Sequence, residues 1–444
     1  MPPSAGVGVG AALRLSDLHG SVADPVLDTM NFLNEVTASH PDAISFAPGR
    51  PYDGFFDTEQ FFTHIRRYLD HLAARGWSPE QVRGAMFQYG PSAGVIRELI
   101  ADSLAIDEGM VVAPESIVVT VGCQEAMFIT VRALMRDPDD VLVVSSPCYM
   151  GIIGAAKLLD VDVVAVPERA GGLACADLAT TISDLRRRGR RARVVYVMPD
   201  HANPSGTTMS RPARDELLAL ADQLDLIILE DSPYRLVSPG VQLPTLKSLD
   251  RHRRVVHLGS YAKSLFPGAR VGYAVADQPV LRDGGGAGLL ADELAKIKSM
   301  VTVNTSALSQ AAVAGALLAT GGRVSQLNTE TAEHYGDMMR ATLDGLESIF
   351  PAERRARLGV TWNAPSGGFF LTLRVPFRAD NAALDRSARD FAVIWTPMTY
   401  FHPDGGGERA IRLSTSYLTP ANVDEGLHRL ADFIESEVAS TRLG

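Results

Sequence analysis

Six short apolar runs, each followed by a stretch compatible with a helix, constrain this chain more than any other feature. They are Ile117 to Val121, Val141 to Val144, Val163 to Val166, Val194 to Val197, Leu226 to Leu229 and Val255 to Leu258. A continuous apolar run rich in β-branched residues, without polar alternation, belongs to a strand covered on both faces. Buried strands alternating with helices predict an α/β fold with a largely parallel sheet wrapped by helices. Such a sheet gathers its chemistry just beyond the carboxyl ends of its strands, so the residues that follow each run become the candidates for function.

Those residues are chemically selective. After the first run comes Gly122-Cys123-Gln124, ahead of a helix predicted to begin near Glu125, whose free backbone N–H groups suit an anion. Pro147-Cys148-Tyr149 follows the second run and offers an aromatic face. The fourth leads into Asn203-Pro204, the fifth into Glu230-Asp231-Ser232-Pro233-Tyr234, and the sixth into Ser260 and Lys263. One edge of the sheet is thereby predicted to hold an anion cradle, a stacking ring, an amide, a carboxylate, a phenol and an amine. Taken singly, each has a plainer reading: Asp231 as a turn residue, Asn203-Pro204 as loop punctuation, Tyr149 as a core aromatic.

Gly259 to Tyr273 concentrates this chemistry. Lys263 stands where one strand has just ended, and Val271 to Val275 reads as the next, with Pro267-Gly268 turning the chain between them. A lysine amine attacks carbonyl carbon when it is desolvated or set beside another cation, and Arg270 lies across the turn. Ser260 and Arg270 suit a phosphate. A lone S-x-x-K also opens the site of serine β-lactamases and penicillin-binding proteins, but those require S-D-N and K-T-G, and neither tripeptide occurs here.

With the following Pro267-Gly268-Ala269-Arg270-Val271-Gly272-Tyr273, this segment resembles the lysine segment of fold-type I, pyridoxal-phosphate-dependent class I/II aminotransferases. The resemblance runs from about Ile44 to Leu418. It implies Lys263 as the catalytic lysine that bears the cofactor and moves the proton at the substrate α-carbon. It implies Asp231 at the ring nitrogen, Asn203 and Tyr234 at the ring oxygen, and Tyr149 against the ring face. Gly122, Cys123, Gln124, Ser260 and Arg270 would surround the phosphate. Gln88-Tyr89 and Gly94 resemble the family's Q-Y-x-x-x-x-G element, which implies that Tyr89 reaches the phosphate of the other subunit. For the substrate, the resemblance implies Arg412 at the α-carboxylate with Asn203, and Gly49 and Arg50 in a loop over the side chain. Arg50 departs from the neutral residue expected there. The arm and loop from Asp17 through Asn31 to Phe55-Phe56 resemble the aminotransferases that make hydroxyphenylglycines and dihydroxyphenylglycines for glycopeptide antibiotics.

Charge and cysteine content set the outer bounds. A net charge of −10 argues against nucleic acid or an anionic membrane as the main partner, since both demand a basic face. The local exception, Arg186 to Arg193, reads as the solvated cationic end of a helix. Cys123, Cys148 and Cys175 lack C-x-x-C spacing, which argues against a disulfide framework or a metal site and for a reducing, cytoplasmic setting. Met1 to Leu15 has no basic leader, and Gly6, Gly8 and Gly10 follow no strand, so a flexible start is expected. Further along, a mobile glycine loop is expected at 284–288, a small-residue helix from Ala307 to Thr320, and a long helix from Gln326 to Phe350.

The predicted organisation is an N-terminal arm and loop over the active site in 1–50, a large cofactor-binding domain in 51–305 and a small C-terminal α+β domain in 306–444. The predicted activity is a ping-pong exchange of an amino group between an amino acid and a 2-oxo acid, in a homodimer with shared sites. A lyase, decarboxylase or oxidase on the same fold would share the cofactor's steps, and dependence on a keto-acid acceptor separates them. The rival of another class is a transcriptional regulator with an aminotransferase-like sensor. It needs a basic winged-helix segment that the fewer than fifty residues before the first matching loop leave no room for.

Overall fold

The computed structural model describes residues 13–169 and 171–443; Gly6, Gly8 and Gly10 lie outside the described residues. All six apolar runs are strands of one eight-stranded sheet. Its order is Ile117–Thr120, Gly272–Val275, Val255–Ser260, Ile227–Asp231, Arg191–Val197, Asp140–Ser146, Asp162–Arg169 and Gly172–Leu173. From Val255–Ser260 to Asp162–Arg169 every pairing is parallel, while Gly272–Val275 and Gly172–Leu173 run against their neighbours. Helices cover both faces, as the unbroken apolar runs require. Gly122–Leu134 and Met150–Leu158 pack on one face, and Cys175–Arg187 and Arg211–Leu224 on the other. Each valine from Val141 to Val144 is fully buried, contributing about 1.5–3 kcal/mol apiece.

The helix expected near Glu125 begins one turn earlier, at Gly122. The cause is Glu125 itself, whose Oε2 accepts the Val121 backbone N–H at 2.6 Å and so satisfies an otherwise orphaned donor at the helix start. Buried Lys298 pairs with the same oxygen at 2.7 Å and fixes the carboxylate in place.

A second, antiparallel sheet carries the C-terminal unit, in the order Thr361–Trp362, Phe370–Arg374, Ala410–Ser414 and Thr396–Pro397. The N-terminal part of the chain joins it. Ile44–Ser45 pairs in parallel with Val393–Ile394, and Leu33, Val36 and Phe46 enter the same core as Trp395 and Phe433. The helix before this strand is Pro25–Ser39, of 15 residues.

Other departures have local causes. The helix Ala307–Ala319 packs on Thr58–Ala74 within the core of the large sheet. Its small residues are needed there: a Cβ on Gly315 would stand 1.8 Å from the His64 carbonyl oxygen. The long helix is Thr329–Ile349, preceded by a separate turn, Val324–Leu327. The glycines at 284–288 close a hairpin between Pro279–Leu281 and Ala287–Leu289 rather than forming a free loop. The arginine run ends the helix Cys175–Arg187 and leads into the strand Arg191–Val197; Arg190, just before it, pairs with Asp162, and Arg191 with Asp140.

Candidate active site

The carboxyl ends of the parallel strands meet the C-terminal unit around a cavity of about 370 Å³. Of the residues singled out in the sequence, Cys123, Gln124, Tyr149, Asn203, Asp231, Tyr234, Ser260, Lys263, Arg270, Arg412, Gly49 and Arg50 all line it. They come from five connections of the large sheet, the Gly49 loop and one strand of the small sheet. Gly122 and Tyr89 are not in the lining.

One end of the cavity is built for an anion. The strand Ile117–Thr120 delivers the chain to the N-terminus of Gly122–Leu134, where unpaired N–H groups and the helix dipole favour negative charge. Gly122 has φ +72°, and a Cβ there would come 2.5 Å from Arg270 Nη2, so glycine lets the guanidinium pass close over the helix start. Arg270 forms no ion pair among the described residues. Ser260 caps the turn Tyr261–Ser264 by accepting the Ala262 N–H at 3.2 Å, which leaves its hydroxyl proton available.

Lys263 follows in that turn, its Nζ donating to the Gly49 carbonyl at 2.5 Å. Burial, with Arg270 and Arg412 nearby, pushes its pKa down to about 8, so a useful fraction is neutral and nucleophilic near physiological pH. Asp231 ends the strand Ile227–Asp231. Burial pushes it up to about 6, against the hydrogen bonds it accepts from Tyr196 Oη at 2.7 Å and Cys123 Sγ at 3.4 Å. Between these groups, burial raises Tyr149 to about 12, and it stays a neutral phenol against the cavity.

At the other end lies Arg412, 5% exposed, on the strand Ala410–Ser414. Its Nη1 donates to Asn203 Oδ1 at 2.8 Å, and its Nη2 to the Ala47 carbonyl at 2.7 Å and Thr396 Oγ1 at 3.2 Å. The rings of Phe370 and Phe401 sandwich it at 4.4 and 4.8 Å. No carboxylate pairs with it among the described residues, and its Nε is buried without a partner. A buried cation without an anion is costly, and a ligand carboxylate would offset that cost. Asn203 links this end to the Tyr234 side of the cavity, since its Nδ2 donates to Tyr234 Oη at 3.4 Å.

Arg50 lines the cavity mouth and is exposed, its guanidinium stacked 3.7 Å from the centre of the Tyr417 ring. Tyr417 donates its hydroxyl to Asp53, and the Arg50 carbonyl accepts from Ser416 Oγ at 2.8 Å. Gly49 is required beside it: a Cβ would meet Phe370 at 2.5 Å. Tyr89 is 86% exposed and remote from this cavity within one chain. Sequence reasoning missed Tyr196, Thr396, Phe401, Tyr417 and the cavity-lining Leu33 and Thr37 of the N-terminal helix. Of these only Tyr196 left a usable signal, a phenol in an otherwise apolar strand run.

An unpaired cation over a helix N-terminus, a buried carboxylate, a depressed lysine and a second unpaired arginine fit pyridoxal phosphate and an amino-acid substrate together. The comparisons with known proteins agree. The family model "Aminotransferase class I and II" matches residues 59–430. The chain is 44% identical over 432 residues to the (S)-3,5-dihydroxyphenylglycine transaminase of Amycolatopsis orientalis, covering 97% of each chain. The crystal structure of the Pyrococcus horikoshii kynurenine aminotransferase in complex with PMP superposes with a TM-score of 0.79 at 27% identity, over 92% of this chain and 94% of that one. The α-aminoadipate aminotransferase of Thermus thermophilus, solved with N-(5'-phosphopyridoxyl)-L-leucine, gives 0.75 at 28% identity over 95% of this chain and 100% of that one. Among the described residues no helix is long and apolar enough to cross a membrane. The chain belongs to the class I and II aminotransferases and is a fold-type I, pyridoxal-phosphate-dependent transaminase.

Proposed function

We propose that this aminotransferase exchanges the amino group of an arylglycine with a 2-oxo acid, in the biosynthesis of hydroxyphenylglycine-type building blocks for antibiotics. The observation that carries the reading is the 44% identity, across 97% of both chains, to the (S)-3,5-dihydroxyphenylglycine transaminase. The cavity supports it. An amino acid held by Arg412 has Phe370, Phe401, Tyr149 and Met150 around it, a lining suited to a ring attached directly to the α-carbon. Arg50 at the mouth offers unspent donors to ring hydroxyls.

The residue roles follow from position and charge. Arg412 binds the α-carboxylate and, with Asn203, sets the α-carbon near Lys263. Bound pyridoxal phosphate supplies the electron-withdrawing ring. Asp231, ionised above about 6, faces the ring nitrogen, and Asn203 and Tyr234 face the ring oxygen. Gly122, Cys123, Gln124, Ser260 and Arg270 hold the phosphate, and Tyr149 covers the ring. Lys263, with its amine neutral, is the base placed to take the proton from the substrate α-carbon.

The working form is a homodimer in which Tyr89 serves the partner's phosphate. Phe87, Tyr89, Met300 and Leu308 are all half or more exposed, which is unusual for large apolar side chains. Gly90 lies beside Asn304, so the Tyr89 and Met300 stretches approach one another on one face. Three free cysteines fit the reducing cytoplasm.

The test is a kcat/KM panel with 3,5-dihydroxyphenylglycine, 4-hydroxyphenylglycine, tyrosine, glutamate and an aliphatic amino acid, each paired with 2-oxo acid acceptors. A preference for arylglycines over tyrosine is expected. A preference for glutamate or an aliphatic donor over every arylglycine removes the substrate reading, and turnover without an acceptor removes transamination.

A further inference from the structure

Behind Asp231, one buried hydroxyl has a single partner. Tyr196 is 1% exposed and its Oη donates to Asp231 Oδ2 at 2.7 Å. The other oxygen, Oδ1, is reached by the Cys123 thiol at 3.4 Å. Cys123 and Asp231 line the cavity and Tyr196 does not, so Oδ1 is the oxygen on the cavity side and Oδ2 is turned into the sheet layer. Strand register creates the contact. Tyr196 stands opposite Leu229, which makes Tyr196 and Asp231 diagonal neighbours on one face of the sheet.

We infer that Tyr196 is a positioning residue for the cofactor: its hydroxyl holds the Asp231 carboxylate ionised and turned so that Oδ1 meets the ring nitrogen. The inference rests on the assignment of Asp231 to that nitrogen. A carboxylate in so dry a place favours its neutral form, and a neutral carboxyl would not hold the ring nitrogen protonated. Burial raises Asp231, and the Tyr196 and Cys123 hydrogen bonds oppose the rise. Tyr196 is the shorter of the two donors, and burial keeps its own hydroxyl protonated far above neutral pH.

The other groups that act on Asp231 do not replace it. His257 and Glu230 act in opposite senses, and Tyr149, Tyr234, Cys148 and Lys263 couple to it through space. All of them remain in Tyr196→Phe, which removes one oxygen atom and keeps the ring in the core between the sheet and its covering helices. Without that donor Asp231 rises further, so the ionised fraction falls most as pH drops toward about 6.

The experiment titrates the apo form of the full chain with pyridoxal phosphate, and with the deaza analogue in which a ring CH replaces the pyridine nitrogen, over a series of pH values. In Tyr196→Phe the dissociation constant for pyridoxal phosphate is expected to rise about tenfold near neutral pH, and more in acid, while that for the analogue changes less than about twofold. Binding of the analogue also reports that the variant is folded. Equal weakening of both ligands, or of neither, overturns the inference. Asp231→Asn is measured alongside: if it too fails to separate the two ligands, the assignment of Asp231 falls, and the inference with it. If Asp231→Asn separates them and Tyr196→Phe does not, only the role of Tyr196 falls.

Discussion

Replacing Arg412 with alanine tests how this enzyme holds its substrates. Arg412 is already oriented without ligand by Asn203, the Ala47 carbonyl and Thr396, so little of the binding energy is spent on ordering it. Its buried Nε has no partner, and the rings of Phe370 and Phe401 keep water from its faces. Truncating one member of a desolvated, hydrogen-bonded charge pair costs about 2–5 kcal/mol. Preorganisation puts this pair in the upper half, about 3–5 kcal/mol, which is roughly 150- to 5,000-fold in kcat/KM. Arg412→Lys keeps the charge and loses the fork, so an intermediate loss is expected. The assay is kcat/KM for arylglycine, tyrosine and glutamate donors, with benzylamine as a control amine that lacks a carboxylate. All three amino acids should lose activity in proportion, and benzylamine should not. A loss below about tenfold, or one confined to a single amino acid, would refute the α-carboxylate role.

Borohydride treatment of the yellow holoenzyme should attach the cofactor covalently to Lys263, as peptide mapping would read. Because burial and the two arginines lower Lys263 to about 8, capture of added pyridoxal phosphate by apo-enzyme should accelerate as pH rises through that value and level off above it. Lys263→Ala should retain cofactor through the phosphate contacts and lose turnover. Mixing Tyr89→Phe with Lys263→Ala subunits should regenerate some sites with both groups intact, giving activity above either parent; a fully active monomer would contradict this. Arg50→Ala should change the ranking of amino donors and leave the most carboxylate-dependent step alone, since the Tyr417 stack is worth about 0.5–2 kcal/mol and lies at the mouth. A uniform loss, or none, would remove Arg50 from specificity.

The sheet and most of the cavity were legible in the sequence for a physical reason. A strand buried on both faces must be apolar throughout, so Val141 to Val144 and Val255 to Leu258 announce themselves, and polar residues directly after them stand out. Arg412 and Asn203 were legible as residues, but their hydrogen bond spans 209 positions and no local pattern encodes it. Tyr196 left a signal, a phenol in an apolar run, but its role reads as core until register places it beside Asp231. The apolar, small-residue helix Ala307–Ala319 suits any core, and only the close approach of Gly315 to His64 shows which one it enters. Helix starts were uncertain by a turn where a side chain further in, Glu125, supplies the first cap.

The pairing of Ile44–Ser45 with Val393–Ile394 ties the opening of the chain to its closing third. As a result, the groups proposed to meet the substrate sit on one body: Ala47, Gly49 and Arg50 beyond that strand, with Phe370, Phe401 and Arg412 on the elements it joins. Those proposed to face the cofactor sit on the large sheet, and the Lys263-to-Gly49 hydrogen bond and the Arg412-to-Asn203 contact are seams between the two. Substrate choice is therefore a separable module in this architecture. A chimera that exchanges the N-terminal arm together with the C-terminal unit would carry its donor preference with it, whereas exchanging either piece alone would cut a sheet in half.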